Sequence, residues 1–355
     1  MANVAILSFY SGVVERGVET FAYEVGRRLA GKNRVTVFQA GHTKGQKFRI
    51  EEIKVPAAIS QAARGIMSKF YLDFQSVKIL IFTILSLPKI VRGKYQIIIP
   101  LNGGWQTVIC RIFCKLTGAK ILISGHAGIG SDDAWNLLFR PDVFVALTTA
   151  QSHWAQKLTP EVKTVIIPNG VDLSRFNPKV EPAPIPLKKP IVICASALVP
   201  YKRVDLTIRA VARAGDLSLL LLGDGELRGV IDTLGKRILA KKYLRLTVPY
   251  EQIPSYYRAG NVFTLASKTE AFGISYVEAM ACNLPVVTTS DDSRAEIIAD
   301  AGILTDPQNI EKYAKDLQIA ATANYRNKPY SQALKFSWNK IAQKYSDLII
   351  QLSQK

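Results

Sequence analysis

Cysteine, histidine and methionine are all scarce in this 355-residue chain, at four, three and three residues. Cys110, Cys114, Cys194 and Cys282 form no CxxC pair and no spacing that suits a metal, and a chain this long needs no disulfide staples. That excludes a zinc module and fits a reduced, cytoplasmic setting. Acidic side chains are also in deficit, with 28 Asp and Glu against 46 Lys and Arg, for a formal net charge of +18. Such a surplus attracts something anionic: nucleic acid, a membrane surface or a phosphorylated small molecule. A continuous apolar run of the roughly 20 residues that span a bilayer is missing too. The most apolar stretch, VKILIFTILSLP from Val77, contains Lys78 and stops at Pro88. The start, MANVAILSFYSG, lacks the basic segment and cleavage site of a signal peptide and reads as a first strand.

What is present is the make-up of a globular protein: 48% apolar and 21% charged residues, with 23 Gly and 17 Pro scattered along the chain. The length predicts two domains. Short β-branched runs alternate with segments of helical period, the pattern of βαβ units feeding mostly parallel sheets, so the fold class is α/β. Strands are expected at NVAILSFY, RVTVFQAG, YQIIIPLNG, AKILISGH, DVFVALTT and KTVIIPNG, with helices at VETFAYEVGRRLAG, from Phe74 to Arg92 and at WQTVICRIFCKLTG. Then comes LSRFNPKVEPAPIPLKKP, where Pro178, Pro182, Pro184, Pro186 and Pro190 forbid regular ladders and helices. The alternation restarts at IVICASAL and runs to GILTD. The expected organisation is therefore a first domain over 1–173, a proline-rich linker over 174–190, a second domain over 191–330 and a C-terminal helical tail over 331–355 that could pack back across the domains. Two doubly wound sheets facing each other would form an interdomain cleft at the carboxyl ends of their strands.

Three places could carry chemistry. Gly12 and Gly17, between the first strand and the first helix, suit either a tight turn or a phosphate-binding loop; no GxGxxG or Walker pattern decides between them. His126 follows a strand among Gly125, Gly128 and Gly130, and is either a ligand group or a loop histidine bonded to backbone. His42, in a polar loop, and His153, in a helix, suit surface or packing roles. The sharpest constellation is TLASKTEAFGISYVEAMACNLPVVTT, where a strand ends, a loop carries Glu270 and Gly273, and a helix beginning near Ile274 places Glu278 about one turn in. Free N–H groups at such a helix start can hold an anion, while the carboxylates accept hydrogen bonds from sugar or ribose hydroxyls.

At these residues the chain resembles the retaining glycosyltransferases of family 4, which have the GT-B architecture of two facing Rossmann-like domains. The matching motifs run in order: IIPNGVDLSRFNP, LVPYKRVDLTIRA, LLLLGDGEL, the Glu270 and Glu278 pair, AMACNLPVVTT and AEIIADAGILTDP. The resemblance implies that Glu278 holds the ribose of a UDP- or GDP-linked donor sugar. It implies that Glu270, with the backbone N–H groups of Phe272, Gly273 and Ile274, holds hydroxyls of the transferred sugar and the diphosphate. It also implies that Lys202 neutralises the leaving diphosphate, that the Gly17 loop meets it from the other domain, and that His126 lies at the sugar-binding floor. One departure stands out: the family usually has Gly-Arg-Leu where this chain has Ser196-Ala197-Leu198, and Arg203 is the candidate to replace the arginine missing at Ala197. No Asp-x-Asp triad occurs, so metal-independent transfer with retention is expected, with no cofactor beyond the donor substrate.

The charge excess is uneven. Residues 60–130 carry nine basic side chains against Asp73 alone, and they include ILIFTILSL. This segment is either an anionic membrane docking surface or an ordinary buried helix covering the sheet. In family terms docking suits an enzyme that extends a saccharide or lipid-linked saccharide at the cytoplasmic face of the membrane. The competing readings are a sugar-nucleotide epimerase or phosphorylase-like enzyme on the same fold, a nonspecific nucleic-acid-binding protein, and an inactive binding module.

Overall fold

A computed structural model describes residues 1–12, 17–42, 48–55, 71 and 73–354, which form two compact units, Met1–Asn169 with Trp338–Lys355 and Gly170–Ser337. In unit 1, strands β1 (Asn3–Leu7), β2 (Arg34–Gln39), β3 (Arg49–Glu52), β4 (Ile97–Pro100), β5 (Lys120–Ser124), β6 (Val143–Ala146) and β7 (Lys163–Ile166) make one sheet in the order β3-β2-β1-β4-β5-β6-β7. Every described pairing is parallel. Alternation along the strands supplies two cores: Val4, Ile6, Ile97 and Ile99 face one side of the sheet, while Ala5, Leu7 and Ile98 face the other. A parallel sheet covered on both faces needs continuous apolar strands, and VAIL and III are such runs. The helices between the strands are α1 (Gly17–Leu29), α2 (Phe74–Gly93), α3 (Gly104–Thr117), α4 (Ser131–Leu138) and α5 (Thr149–Leu158).

Unit 2 repeats the plan with β8 (Ile191–Ala195), β9 (Ser218–Leu222), β10 (Tyr243–Leu246), β11 (Val262–Leu265), β12 (Val286–Thr289) and β13 (Gly302–Thr305), ordered β10-β9-β8-β11-β12-β13 and all parallel. Its helices are α6 (Val204–Ala214), α7 (Arg228–Leu239), α8 (Ile253–Ala259), α9 (Ile274–Ala281), α10 (Asp292–Ile298), α11 (Ile310–Thr322) and α12 (Lys328–Ala333). In each sheet the strand order reverses between the first strand and its later neighbour, β1 and β4 in one, β8 and β11 in the other. Such a switch point parts the flanking loops and leaves a crevice at the carboxyl ends of the strands. The two units are thus Rossmann-like doubly wound α/β domains.

The last helix, α13 (Trp338–Ser353), belongs to unit 1. Trp338, Ile341, Tyr345, Leu348, Ile349 and Leu352 recur at helical spacing and join the core beside α1, each contributing roughly 1.5–3 kcal/mol of burial. The Tyr345 hydroxyl meets Ser124 Oγ at 2.9 Å in that core. The boundaries differ from those expected. The first crossing falls at Asn169–Gly170, the return falls at Ser337–Trp338, and the tail divides into α12 in unit 2 and α13 in unit 1. Residues 174–190 lie within unit 2 because Phe176 is fully buried beside Tyr250 and Tyr257, and Ala183 N–H donates to Ser255 O at 2.9 Å.

Helix α2 departs from the sequence reading in another way. At 20 residues, with a mean hydropathy of 1.6 over its most apolar window, it is long and apolar enough to cross a membrane by length and composition alone. The apolar run from Val77 to Pro88, taken alone, is too short to do so. Asp73 caps its start by accepting from the N–H groups of Gln75 and Ser76. Its buried residues are Phe82, Thr83, Ser86 and Ile90, two of them hydroxyl-bearing, whereas Ile84, Leu85 and Val91 are 48%, 44% and 57% exposed. Thr83 and Ser86 are satisfied by donating to Ile79 O and Phe82 O. The usual amphipathic order is therefore partly inverted: the helix keeps hydroxyls inside and leaves aliphatic side chains in water.

Candidate functional site

In unit 2 the switch point lies between β8 and β11, and the loops that leave these two strands carry Lys202 and Glu270. Lys202 ends a short turn, Pro200–Lys202, and Arg203 follows in the left-handed region at φ 49°. Lys202 Nζ donates to Glu270 Oε1 at 2.5 Å, both side chains being mostly buried. A charged pair this enclosed is a strong hydrogen bond. It leaves the second carboxylate oxygen of Glu270 and the other ammonium protons of Lys202 able to meet a ligand.

Two residues after Glu270, Phe272 buries its ring against Phe336 at 5.5 Å, so only its backbone is available to a ligand. Gly273 then opens α9 at φ 82°; a Cβ there would lie 2.3 Å from the Tyr276 ring, so glycine is required. The N–H groups of Phe272, Gly273 and Ile274 have no acceptor within the helix, the condition for holding an anion.

Glu278, one turn into α9, is buried and accepts from the Tyr250 hydroxyl. Burial pushes its pKa up to about 7, against the opposing pull of the Tyr250 hydrogen bond and of the Arg175 charge. Arg175 lies 5.0 Å over the Tyr250 ring, and Phe176 packs beside that ring at 5.6 Å.

Arg203, expected on the diphosphate, turns two of its three nitrogens to the protein. Nε donates to Ala266 O at 2.7 Å and Nη2 to Thr289 Oγ1 at 3.3 Å. Thr289 Oγ1 donates in turn to Ser267 O at 2.9 Å, and Lys268 N–H donates to Tyr201 O at 2.8 Å. The buried Arg294 completes the clasp: Nη2 donates to Ser267 O at 3.0 Å, Nε to the Tyr276 hydroxyl at 3.3 Å, and Nη1 pairs with Asp291. These bonds tie the Lys202 turn, the loop before Glu270 and the start of α9 into one rigid piece. Arg294, Tyr250 and Arg175 were not singled out in the sequence. The available signal was slight: an arginine in the first turn of the helix DSRAEII, and a tyrosine just ahead of a proline helix start, YEQIP.

Unit 1 carries the remaining candidates at the carboxyl end of its own sheet. Gly17 is the first residue of α1, while residues 13–16 of the preceding glycine loop lie outside the described residues. His126 follows β5 with its ring edge-on to Phe21 of α1 at 4.4 Å. Asn169 Nδ2 is 3.5 Å from His126 Nδ1, and His126 Nε2 is buried without a protein partner. Burial pushes the imidazole down to about 3, so it is neutral at pH 7 and able to position a hydroxyl rather than to carry charge. Beneath this loop Asp133 accepts from Gly128 N–H at 3.0 Å and from Gln151 Nε2 at 3.1 Å, and Gln151 also donates to Gly125 O at 2.8 Å. Burial pushes the Asp133 carboxyl up to about 7. Among the described residues no group of three His, Cys, Asp or Glu side chains is arranged to hold a metal ion.

Comparison with known proteins agrees with this layout. The model of the Glycosyltransferase Family 4 domain matches residues 16–175, and that of Glycosyl transferases group 1 matches residues 176–335. A GDP-mannose-dependent alpha-(1-6)-phosphatidylinositol monomannoside mannosyltransferase of Mycolicibacterium smegmatis is 27% identical over 182 residues, 45% of this chain and 48% of that protein. The GPI3 subunit of a phosphatidylinositol N-acetylglucosaminyltransferase of Saccharomyces cerevisiae is 27% identical over 185 residues, 48% of this chain and 38% of that protein. The matched region thus spans about half the length of these relatives, or less. Among solved structures, a sucrose-phosphate synthase from Thermosynechococcus elongatus superposes with a TM-score of 0.81 at 19% identity, covering 99% of each chain. HepE from Anabaena, in complex with UDP-glucose, gives 0.75 at 17% identity, covering 99% of this chain and all of that one. Two adjoining domain models and a shared two-domain fold lead to one assignment: the chain belongs to glycosyltransferase family 4 and has the GT-B fold.

Proposed function

We propose that this protein is a hexosyltransferase that moves a sugar from a UDP- or GDP-linked donor to a saccharide or lipid-linked saccharide, with retention of anomeric configuration and without a metal. The observation that carries the reading is the Lys202–Glu270 pair at the β8/β11 switch point, beside the Gly273-opened start of α9. In this reading the sugar departs from the diphosphate through an oxocarbenium-like transition state, and negative charge grows on the leaving group. Lys202 and the N–H groups at the start of α9 are, in this reading, the fixed donors that meet such a charge, with little reorganisation as it develops. Glu270 orients hydroxyls of the sugar and Glu278 holds the ribose, while in unit 1 the neutral His126 is suited to hydrogen-bond a hydroxyl. The named substrates of the relatives, phosphatidylinositol glycosides and GDP-mannose, support a lipid-linked acceptor and a nucleoside diphosphate donor.

The exposed face of α2 supports docking of unit 1 on an anionic membrane at the cytoplasmic face. Beside Ile84, Leu85 and Val91 stand Arg92 and Lys94; Lys89 is engaged by Glu51 at 2.7 Å, and Lys78 lies over the Phe74 ring at 4.0 Å. Neighbouring α3 adds Ile112 and Leu116, 55% and 81% exposed, with Lys115 between them. Apolar side chains flanked by cations favour the headgroup boundary of an anionic bilayer.

The test is a screen of UDP- and GDP-sugars with lipid-linked acceptors, read by mass spectrometry with and without EDTA. A glycosylated acceptor formed equally in EDTA is expected. Activity lost in EDTA and restored by a divalent cation refutes metal independence, and release of no nucleoside diphosphate from any donor refutes the transferase reading.

A further inference from the structure

Two side chains that the proposed reaction does not employ stand in line behind Glu278, one bonded to its carboxylate and the other stacked on the first. Tyr250, in the short turn before α8, donates its hydroxyl to the Glu278 carboxylate, and Arg175, from the segment that opens unit 2, stacks 5.0 Å over the Tyr250 ring. Phe176 packs beside that ring at 5.6 Å, and its own ring is fully buried. A tyrosine gripped this way has little rotamer freedom, so its hydroxyl is a fixed point rather than a passing contact. Tyr257, from α8, and Cys282, at the end of α9, are both held protonated by burial. Arg258, the other nearby cation, donates instead to Cys282 O at 3.2 Å. Arg175 is thus the cation acting on Glu278 itself.

We infer that Tyr250 and Arg175 are positioning residues for the donor: Tyr250 aims the Glu278 carboxylate, Arg175 keeps it ionised, and the donor is held by the ionised form and released when Glu278 takes up a proton. The inference rests on the reading of Glu278 as the ribose-holding group. Its physical basis is a balance. Desolvation favours the protonated carboxyl, while one hydrogen bond and one nearby guanidinium favour the anion. The balance point falls close to neutral pH, so removing either support tips the carboxyl to its protonated form under ordinary conditions. A protonated carboxyl has lost part of its capacity to accept hydrogen bonds from vicinal hydroxyls, and the Tyr250 hydroxyl would then compete for what remains.

The test measures binding of UDP-glucose, UDP-N-acetylglucosamine and GDP-mannose by calorimetry from about pH 5.5 to about pH 8.5, a range in which the diphosphate of a nucleotide sugar does not titrate. The proteins are the wild type, Tyr250→Phe, Arg175→Met, Arg175→Lys and Glu278→Gln, with thermal melts at each pH to confirm folding. Wild-type affinity should fall about tenfold between pH 8 and pH 6, following one proton. Loss of a hydrogen bond to a charged group moves a carboxyl by about one pH unit or more, so Tyr250→Phe should bind about fivefold more weakly than wild type at pH 7 and nearly as well at pH 8.5. Arg175→Met should shift the profile the same way, and Arg175→Lys should restore it. Glu278→Gln should bind weakly with a flat profile. If the wild type binds one of these donors but Tyr250→Phe and Arg175→Met keep its pH midpoint, the positioning role is overturned while the donor reading stands. If no donor binds the wild type at any pH, the donor reading is overturned and this inference with it.

Discussion

Glu278 shows what a buried carboxylate costs the fold. Its folded pKa, about 7, lies above the ordinary glutamate value of 4.5, so the native state holds the proton more tightly than the unfolded chain. The stability this contributes is fully present below pH 4.5 and is lost as pH rises through 7. Glu278→Gln keeps an acceptor for Tyr250 without a buried charge. We therefore expect the variant to be more stable than wild type at pH 8, by up to about 3 kcal/mol, and no more stable near pH 4, as read by denaturant titration at the two pH values. A variant equally stable or less stable at pH 8 would mean that the buried carboxylate carries no such cost. Arg203 makes the complementary case. Its guanidinium fastens the Lys202 turn to the ends of β11 and β12, so Arg203→Met should lower stability by about 2 kcal/mol and weaken donor binding less than tenfold. Undiminished stability with donor binding lost about a hundredfold would put the guanidinium on the donor instead.

Among the secondary-structure elements, those with the plainest hydrophobic period were legible in the sequence and those defined by their neighbours were not. VAIL, III and LLLL become central strands because both faces of a parallel sheet are covered. RIEE becomes β3 only because it pairs with β2 at the sheet edge, where two glutamates are tolerated; nothing in its own sequence marks it as a strand. Helix α4, SDDAWNLL, hides in a loop-like composition, and its Asp133 and Asn136 are buried as supports for the His126 loop. For α2 the span was readable and the packing was not, because an apolar helix does not state which of its faces is covered. Its exposed aliphatic face makes a direct prediction: Leu85→Asp with Val91→Asp should cut sedimentation with phosphatidylserine vesicles at least fivefold while leaving the melting temperature unchanged, since both positions are exposed. Unchanged sedimentation would remove α2 as a docking surface.

For the molecule as a whole, the two-sheet plan followed from the alternation of strands and helices, but the path of the chain did not. Five prolines between residues 178 and 190 signalled a joint, yet the segment folds into unit 2 because Phe176 supplies an anchor that proline content conceals. The return of α13 to unit 1 depends on a tertiary match between its Trp338–Leu352 stripe and α1, which no local pattern specifies. The candidate site was more legible than the path. Lys202, Glu270, Gly273 and Glu278 sit in short motifs at strand ends, where a doubly wound sheet presents its ligand groups. The residues that brace them, Arg203, Arg294 and Tyr250, act through contacts between distant segments and carry no local signature of that role.

The most direct measurement of the central claim is the anomeric configuration of the glycoside formed from an α-linked nucleotide sugar, determined by proton NMR for wild type and Lys202→Ala. An α-linked product is expected from the wild type, and a rate at least about a hundredfold lower when the cation paired with Glu270 is removed. A β-linked product, or a Lys202→Ala enzyme as fast as wild type, would contradict that claim.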